Sequence, residues 1–357
     1  MPLGSPKARP AVKLTIEYVR GSQRSVASQL GLPHVAMPFY NAAGPNGLLR
    51  AALEMSCSLA APLMNPWLPA YHTLATEAER RGCRVILTGG GGDEWLTISP
   101  FLSADLLRAF DLRGVYRLWD SIRRSYRRPS LALLRSLLWR FGARPLLLPP
   151  ARRVVGAIAP WALQLRRRMV SGPPKWIAPD GALRRELDLR LEEHSARARQ
   201  VKGSFYIKEV RTALDHPLVS WESEEVFEIG RRLGVRVLRP FWDADLVDLL
   251  YRTPPFLLNQ GGRNKGLVRE SLARRFPNLG FEQQKKVDAS HFYTSLMLNE
   301  ASPAWRAIGG AARLGDLGIV DNQRLPPAEQ TLARQEPRAS HGVWTLLNAE
   351  AWVRAHT

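Results

Sequence analysis

Residues 85–95 read Val-Ile-Leu-Thr-Gly-Gly-Gly-Gly-Asp-Glu-Trp, a short apolar run followed by four glycines and two acids. The run at 85–87 predicts a buried strand of a parallel sheet. Glycines let backbone N–H groups converge on one point and let a phosphate approach closely. Open α/β sheets bind ligands at the carboxyl ends of their strands. This stretch therefore predicts a nucleotide site in an α/β fold.

Asp93 is the residue of this stretch that suits Mg²⁺. Acids beside phosphates repel them unless a cation lies between, and Mg²⁺ commonly uses one or two carboxylates together with phosphate oxygens. The stretch is not a Walker loop, because the ending Gly-Lys-Ser/Thr is absent. The alternative is a flexible turn in which a solvated Asp93 and Glu94 begin a helix, where acids are favoured.

Upstream of the glycines, predicted strands alternate with predicted helices. This alternation is typical of a doubly wound parallel sheet. Gly82 is expected to end the helix before the strand at 85–87. The predicted elements are a strand at 12–19, a helix at 25–30, a strand at 35–40, and helices at 48–59 and 68–78.

Downstream of Pro100, helical periodicity dominates and prolines interrupt it. We expect three segments: a remnant α/β nucleotide-binding layer at 1–99, a helical insertion at 100–200, and a helical C-terminal part of the same domain at 201–357. A doubly wound nucleotide domain normally opens with a strand, a glycine-rich turn and a helix, and no such turn precedes the first strand. The expected fold class is therefore α/β, with a small parallel doubly wound sheet, incomplete at its N-terminus, and a large helical C-terminal region.

The composition, with 45% hydrophobic and 23% charged residues, is typical of a folded globular protein. Two cysteines and the lack of a secretory signal favour a cytoplasmic location. Arginines interrupt the most apolar stretch, residues 131–165. We therefore expect helices there that are buried or face a partner, and we expect no membrane partner.

The formal net charge of +19 would attract polyanions of several kinds, or it would form a solvated basic surface. A nucleic-acid hypothesis rests on basic residues that lie near aromatic ones. No recognisable nucleic-acid module accompanies them, so we rank this hypothesis lowest and do not expect a nucleic-acid partner. The residues concerned are Arg123, Arg124, Arg127, Arg128, Trp119 and Tyr126.

Three further motifs follow in order. Residues 239–247 read RPFWDADLV, in which Asp243 would cap the start of a helix. Residues 261–272 read GGRNKGLVRESL, with Lys265 and Arg269 one helical turn apart. That pair is either a solvated basic stripe or a substrate-positioning pair. Residues 283–286 read QQKK, which in isolation would be surface residues.

Together these motifs resemble those of the asparagine synthetase family, in its C-terminal synthetase domain, over roughly Val12 to Val353. Residues 88–94 are similar to the family's S-G-x-G-x-D-E, and residues 239–247 to R-x-P-F-L-D-x-x-L-V. Residues 261–272 are similar to G-G-x-x-K-x-L-L-R-E-A-L, and residues 283–286 to R-P-K-K or R-Q-K. Relatives in this family include β-lactam synthetase and the lasso-peptide cyclases.

The resemblance implies an ATP-pyrophosphatase-type, adenine-nucleotide α-hydrolase-like fold and a ligase that uses ATP and Mg²⁺. Such an enzyme activates a carboxylate as an acyl-adenylate, releases pyrophosphate and joins the acyl group to an amine. Carried over residue by residue, the nucleotide contacts fall on Thr88, Gly89 and Gly91. The metal ligand of the family falls on Asp93.

The family's catalytic lysine falls on Lys285. A cation there would stabilise the negative charge that develops in the transition state. Substrate positioning falls on Glu94, Lys265 and Arg269. The substrate implied is a small-molecule or peptide carboxylate.

The sequence departs from the family at three places. The loop S-G-G-x-D-S and the glutaminase domain are absent, and Met1 is followed by Pro2. Gly90 stands where asparagine-forming members have a glutamate, which points away from aspartate and towards the related cyclases and ligases. We therefore expect an N-terminally truncated synthetase domain, which a separate protein would complete.

Two functions stay open at this stage. One is an amide ligase in asparagine biosynthesis or in peptide and natural-product modification. The other is a non-catalytic relic or a partner-dependent scaffold with the same fold.

Overall fold

The computed structural model of the chain describes residues 13–17, 22–126, 130–158, 173–283, 290–327 and 337–357. Its contacts divide the chain into two compact units. The first unit comprises Met1–Thr88, Pro217–Leu238 and Ala289–Thr357, and the second comprises Gly89–His216 and Arg239–Asp288.

Helices make up most of the described chain. Two of them, α8 and α9, are joined without a break by π-helical turns at Ser136–Ala143. The helices are α1 (Ser22–Gln29), α2 (Phe39–Ala43), α3 (Leu48–Ser56), α4 (Leu68–Arg80), α5 (Gly92–Trp95), α6 (Leu102–Arg108), α7 (Leu112–Ser125), α8 (Leu131–Arg135), α9 (Arg144–Ile158), α10 (Gly181–Gln200), α11 (Phe205–Leu214), α12 (Pro217–Leu233), α13 (Ala244–Arg252), α14 (Pro255–Leu258), α15 (Gly266–Arg275), α16 (Ser290–Ala307), α17 (Ala312–Asp316) and α18 (Pro337–His356).

The strands of the first unit form two parallel pairs. β1 (Lys13–Glu17) pairs with β2 (His34–Pro38), and β3 (Val85–Leu87) pairs with β4 (Arg236–Leu238). The predicted strands and their parallel pairing are confirmed, so the chain is α/β with a small parallel sheet content. The sequence analysis missed β4, because three residues directly after α12 are too few to show the period-two pattern of a strand.

The prediction that β3 is buried is wrong. Val85 is 41% exposed and Leu87 is 69% exposed, whereas Ile86 is half-buried and packs against the main core of the first unit. Side chains alternate between the two faces of a strand. Only one face of this two-stranded pair is covered, so a continuous apolar run did not mean burial on both faces.

Three of the predicted helices upstream of β3 are confirmed within a few residues. In α4, Leu68, Ala75 and Ala78 are buried, as their spacing predicts. Gly82 has a φ of 79° directly after α4, and its N–H donates to the carbonyl of Glu79. This is the left-handed helix end that glycine favours.

The core of the first unit is built chiefly by α3, α4, α16 and α18. The loop between α3 and α4 is fastened to it by buried polar groups. The Glu225 carboxylate of α12 accepts the N–H groups of Met64 and Asn65, and Trp344 of α18 donates its indole N–H to the Met64 carbonyl at 2.9 Å. The fully buried members of this core with less than 2% exposure are Leu49, Ala52, Leu63, Leu68, Met297, Ala301 and Leu347.

The second unit has a core of its own. Buried side chains of α5, α6, α7 and α11 meet there with those of α13 and α14, and Leu118 and Leu258 are the most buried among them. Asp105 of α6 fastens α11 by accepting the N–H groups of Phe205 and Tyr206 at 3.0 and 2.8 Å. This unit carries the glycine stretch that the sequence analysis singled out.

We predict that Leu347→Ala lowers the free energy of unfolding by about 2–5 kcal/mol, because it leaves a cavity in the core of the first unit. Leu317→Ala removes an exposed leucine from the same unit and is the matched control, with an expected change within about 0.5 kcal/mol. Denaturant unfolding measures both. Equal losses from the two variants would contradict the assignment of Leu347 to the core.

Burial raises the pKa of the Glu225 carboxyl, against the opposing effect of the two N–H groups that it accepts. The folded chain therefore binds more protons than the unfolded chain above about pH 4.5, the ordinary pKa of the group. Stability from this group is present at lower pH and is lost as the pH rises through the raised pKa.

We predict that the stability of the wild-type chain falls relative to that of Glu225→Gln as the pH rises above about 4.5. Unfolding measured across pH 4 to 8, as an approximate window, tests this, with exposed Glu224→Gln on the same helix as a control for the loss of one charge. A wild-type stability that rises relative to Glu225→Gln would mean that the pKa is lowered.

Candidate nucleotide site

The glycine turn after β3 owes its path to Gly91. Gly91 has a φ of 94°, in the left-handed region, and is buried. A Cβ at this position would lie 2.9 Å from Phe241 Cβ and 2.9 Å from Trp242 Cδ1. The turn therefore requires glycine twice, for its backbone conformation and for its close approach to these two aromatic residues.

The aromatic residues belong to the second motif, residues 239–247. Pro240–Trp242 forms a short 3-10 turn, and Trp242 meets the buried Trp95 edge-to-face at a centroid distance of 5.5 Å. Asp243 accepts the N–H of Leu246 at 3.1 Å and so caps α13, which confirms the predicted N-cap. The second motif thus forms the packing surface on which the glycine turn rests.

The third motif reaches the same turn through Lys265. Its Nζ lies 2.6 Å from Asp93 Oδ1, and a Cβ on Gly92 would lie 3.8 Å from that Nζ. The Asp93 side chain is 68% exposed and that of Lys265 is 33% exposed. An ammonium group and a carboxylate therefore lie side by side on the glycine turn, accessible to a ligand.

Local geometry fixes the place of Lys265. It adopts a φ of 59° as the residue before α15. A Cβ on the next residue, Gly266, would lie 1.8 Å from the Gln260 carbonyl oxygen, so only glycine fits there. The preceding loop is held by Asn264, whose N–H donates to Ser125 Oγ at 2.8 Å.

The interpretation of Lys265 and Arg269 as a solvated basic stripe is wrong. Arg269 is half-buried in α15, and its guanidinium donates to the carbonyls of Asn264 and Phe281, each at 2.9 Å. Burial lowers the pKa of Arg269, and the nearby Arg263 lowers it further. Arg269 thus supports the loop that carries Lys265.

The predicted nucleotide contacts before Gly91 have open polar groups or free space. Thr88, the last residue of the first unit, donates its N–H to the Leu238 carbonyl at 2.9 Å. Its hydroxyl is buried and has no hydrogen-bond partner among the described residues. A Cβ on Gly89 would meet nothing within 4 Å, and Glu94 is exposed.

Asp93 suits a metal that arrives with a phosphate ligand. Among the described residues there is no group of three or more His, Cys, Asp or Glu side chains that could hold a metal ion. One carboxylate is nevertheless enough for Mg²⁺ when phosphate oxygens and water supply the other ligands. Lys285, the predicted catalytic lysine, lies outside the described residues.

Sequence reasoning missed two features of this site. It did not predict that Phe241 and Trp242 pack on Gly91, or that Lys265 pairs with Asp93. The order of the motifs was the only available signal, because contacts between distant parts of a chain leave no local pattern.

We predict that Gly91→Ala destabilises the chain by about 1–3 kcal/mol, because alanine is strained at this φ and its Cβ overlaps Phe241 and Trp242. Gly89→Ala, two residues earlier in open space, is the matched control. Denaturant unfolding of both variants checks the prediction. A Gly91→Ala variant as stable as Gly89→Ala would show that the turn does not rest on the aromatic pair.

Among the described residues, none of the helices is both long enough and apolar enough to cross a bilayer. No curated protein gives a significant match to the chain. A sequence model of the family described as asparagine synthase matches residues 20–354, which is nearly the whole chain and includes all of the motifs above. The chain therefore belongs to the asparagine synthase family.

Proposed function

We propose that the chain is an ATP-dependent ligase that activates a carboxylate as its adenylate and converts it to an amide. Membership of the asparagine synthase family supports an ATP-dependent amide ligase in general. The observation that carries the proposal for this chain is the meeting of the glycine turn, Asp93 and Lys265, three features from two of the family motifs.

Thr88, Gly89 and Gly91 are proposed to bind the phosphates of ATP. The unpartnered Thr88 hydroxyl is a free donor, and the space beside Gly89 leaves room for phosphate oxygens. A buried hydroxyl without a partner is costly, and a phosphate oxygen would satisfy it.

The Asp93–Lys265 pair is proposed to open when the nucleotide binds. Phosphate oxygens would replace the carboxylate as partners of the Lys265 ammonium. Asp93 would then be free to hold Mg²⁺, which supplies positive charge against the triphosphate and helps pyrophosphate to leave. Glu94 and Arg269 keep their proposed roles in positioning, Glu94 from the exposed side of α5 and Arg269 through the loop that it supports.

The reaction is proposed to run in two steps. A carboxylate oxygen attacks the α-phosphorus of ATP, and the bond to the bridging oxygen breaks with its electron pair leaving on pyrophosphate. An amine then attacks the acyl carbon, AMP leaves with the bonding electrons, and the amine loses a proton. Lys285 is proposed to stabilise the negative charge that builds up in these steps.

The substrate is proposed to be a small-molecule or peptide carboxylate other than aspartate. The glutamate of asparagine-forming members is replaced here by Gly90, which offers no side chain to an amino-acid substrate. Peptide and natural-product modification fit this better than asparagine biosynthesis does. A separate protein that completes the site stays part of the proposal.

We predict that the chain catalyses carboxylate-dependent exchange between pyrophosphate and ATP. A panel of free amino acids, peptides with side-chain carboxylates and other small carboxylates serves as substrates, with and without Mg²⁺. Lys285→Met should lower the exchange rate by about 10²–10³-fold, because the transition state loses a stabilising charge.

Lys286→Met is the matched control, because it removes the same charge one position along the chain. Unfolding curves establish that both variants are folded. An absence of exchange across the whole panel would favour the non-catalytic scaffold, and equal rates for the two variants would remove Lys285 from its role.

A further inference from the structure

The continuous helix formed by α8, the π-helical turns and α9 has two different halves. Its first half is anchored in the second unit. Leu137 is buried in the core, its carbonyl accepts the Ser103 hydroxyl at 2.9 Å, and a Cβ on Gly142 would lie 2.7 Å from Leu107 Cδ1. The helix is therefore held firmly against α6 along this half.

The second half, α9, exposes an apolar face. Leu147 and Val154 are each 56% exposed, Val155 is 40% exposed and Ile158 is 79% exposed. With exposed Ala151 they recur at i, i+4, i+7, i+8 and i+11, which places them on one side of a helix. A stripe of this kind normally faces a core, and a large apolar surface left exposed marks a binding surface.

Further exposed apolar residues lie earlier on the same continuous helix. Leu131 is fully exposed in character and Trp139 is about half-exposed. Tryptophan is enriched where a protein meets the interface of a membrane, because its ring is apolar and its N–H is polar.

The charge around this helix has one sign. Residues 121–179 contain thirteen arginines and lysines and no aspartate or glutamate. On the described helix, Arg135, Arg140 and Arg144 are exposed. The surface that carries the apolar stripe therefore complements an anionic partner.

We propose that the exposed face of α9, with the arginines that precede it, binds the surface of an anionic lipid bilayer. An apolar stripe with arginines and tryptophan, on a helix too short and too charged to cross a bilayer, is the pattern of a helix that lies in the membrane interface. This inference goes beyond the proposed ligase activity and does not depend on it.

The chemistry of the stripe favours lipid over nucleic acid. Single-stranded nucleic acid is bound by stacking on aromatic rings, whereas Leu147, Val154, Val155 and Ile158 are aliphatic. Aliphatic side chains gain free energy among acyl chains, and arginines gain it beside anionic headgroups. The expectation of no membrane partner rested on the lack of an apolar span, which does not address a helix lying on the surface.

The test is co-sedimentation of the full chain with lipid vesicles. One set is phosphatidylcholine alone, and in the other about one third of the lipid is phosphatidylglycerol, which supplies the anionic surface. We expect binding to the anionic vesicles, weakened by high salt, and at least about tenfold weaker binding to the neutral ones.

The triple variant Leu147→Ser, Val154→Ser and Ile158→Ser should lower the partition coefficient on anionic vesicles by about tenfold or more. The control replaces three exposed leucines on α10 of the same unit, Leu183→Ser, Leu189→Ser and Leu191→Ser, and should bind like the wild type. Arg135→Gln, Arg140→Gln and Arg144→Gln together should reduce the preference for anionic vesicles. Because all of these side chains are exposed, the variants should unfold at the wild-type temperature.

Three outcomes would overturn the proposal. The first is no binding to anionic vesicles at low salt. The second is equal binding by the triple serine variant, which would leave charge as the whole attraction. The third is a different occupant: tighter binding to a DNA duplex that is unchanged in the triple variant, or a concentration-dependent dimer that the triple variant abolishes.

Discussion

Gly91 lies so close to Phe241 and Trp242 that no side chain fits between them. This contact joins the glycine turn to a motif far along the chain, and it fixes the direction in which α5 leaves the turn. With the turn held in place, Asp93 in the first turn of α5 comes within 2.6 Å of the Lys265 ammonium. The geometry of the candidate site in the second unit therefore depends on the missing Cβ at one position.

The Asp93–Lys265 pair has more to do with ligand binding than with stability. Exposed ion pairs contribute about 0–1 kcal/mol, because water and salt screen them, and the Asp93 carboxylate is largely exposed. The pair nevertheless cancels two charges that a magnesium-bound triphosphate would each satisfy separately. Such a ligand would exchange one pairing for two, so the site has matched partners for both components of its proposed substrate.

In the first unit, buried acids do the corresponding work of holding distant segments together. Glu225 fastens the loop after α3 through the N–H groups of Met64 and Asn65. Glu350, fully buried in α18, accepts the N–H groups of Arg313 and Leu314 at 2.9 Å and pairs with Arg354. A buried carboxylate is stable in such places because several donors share its charge.

The sequence by itself determined the family, three of the four strands, their parallel pairing and the cap at Asp243, because each of these leaves a local pattern of residue types. The burial of β3, the existence of β4, and the contacts of Gly91 and Lys265 were decided only by tertiary structure. A strand of three residues has no period to read, and an apolar run does not say which of its faces is covered. Contacts between residues far apart depend on how the chain packs, and no spacing along the sequence encodes them.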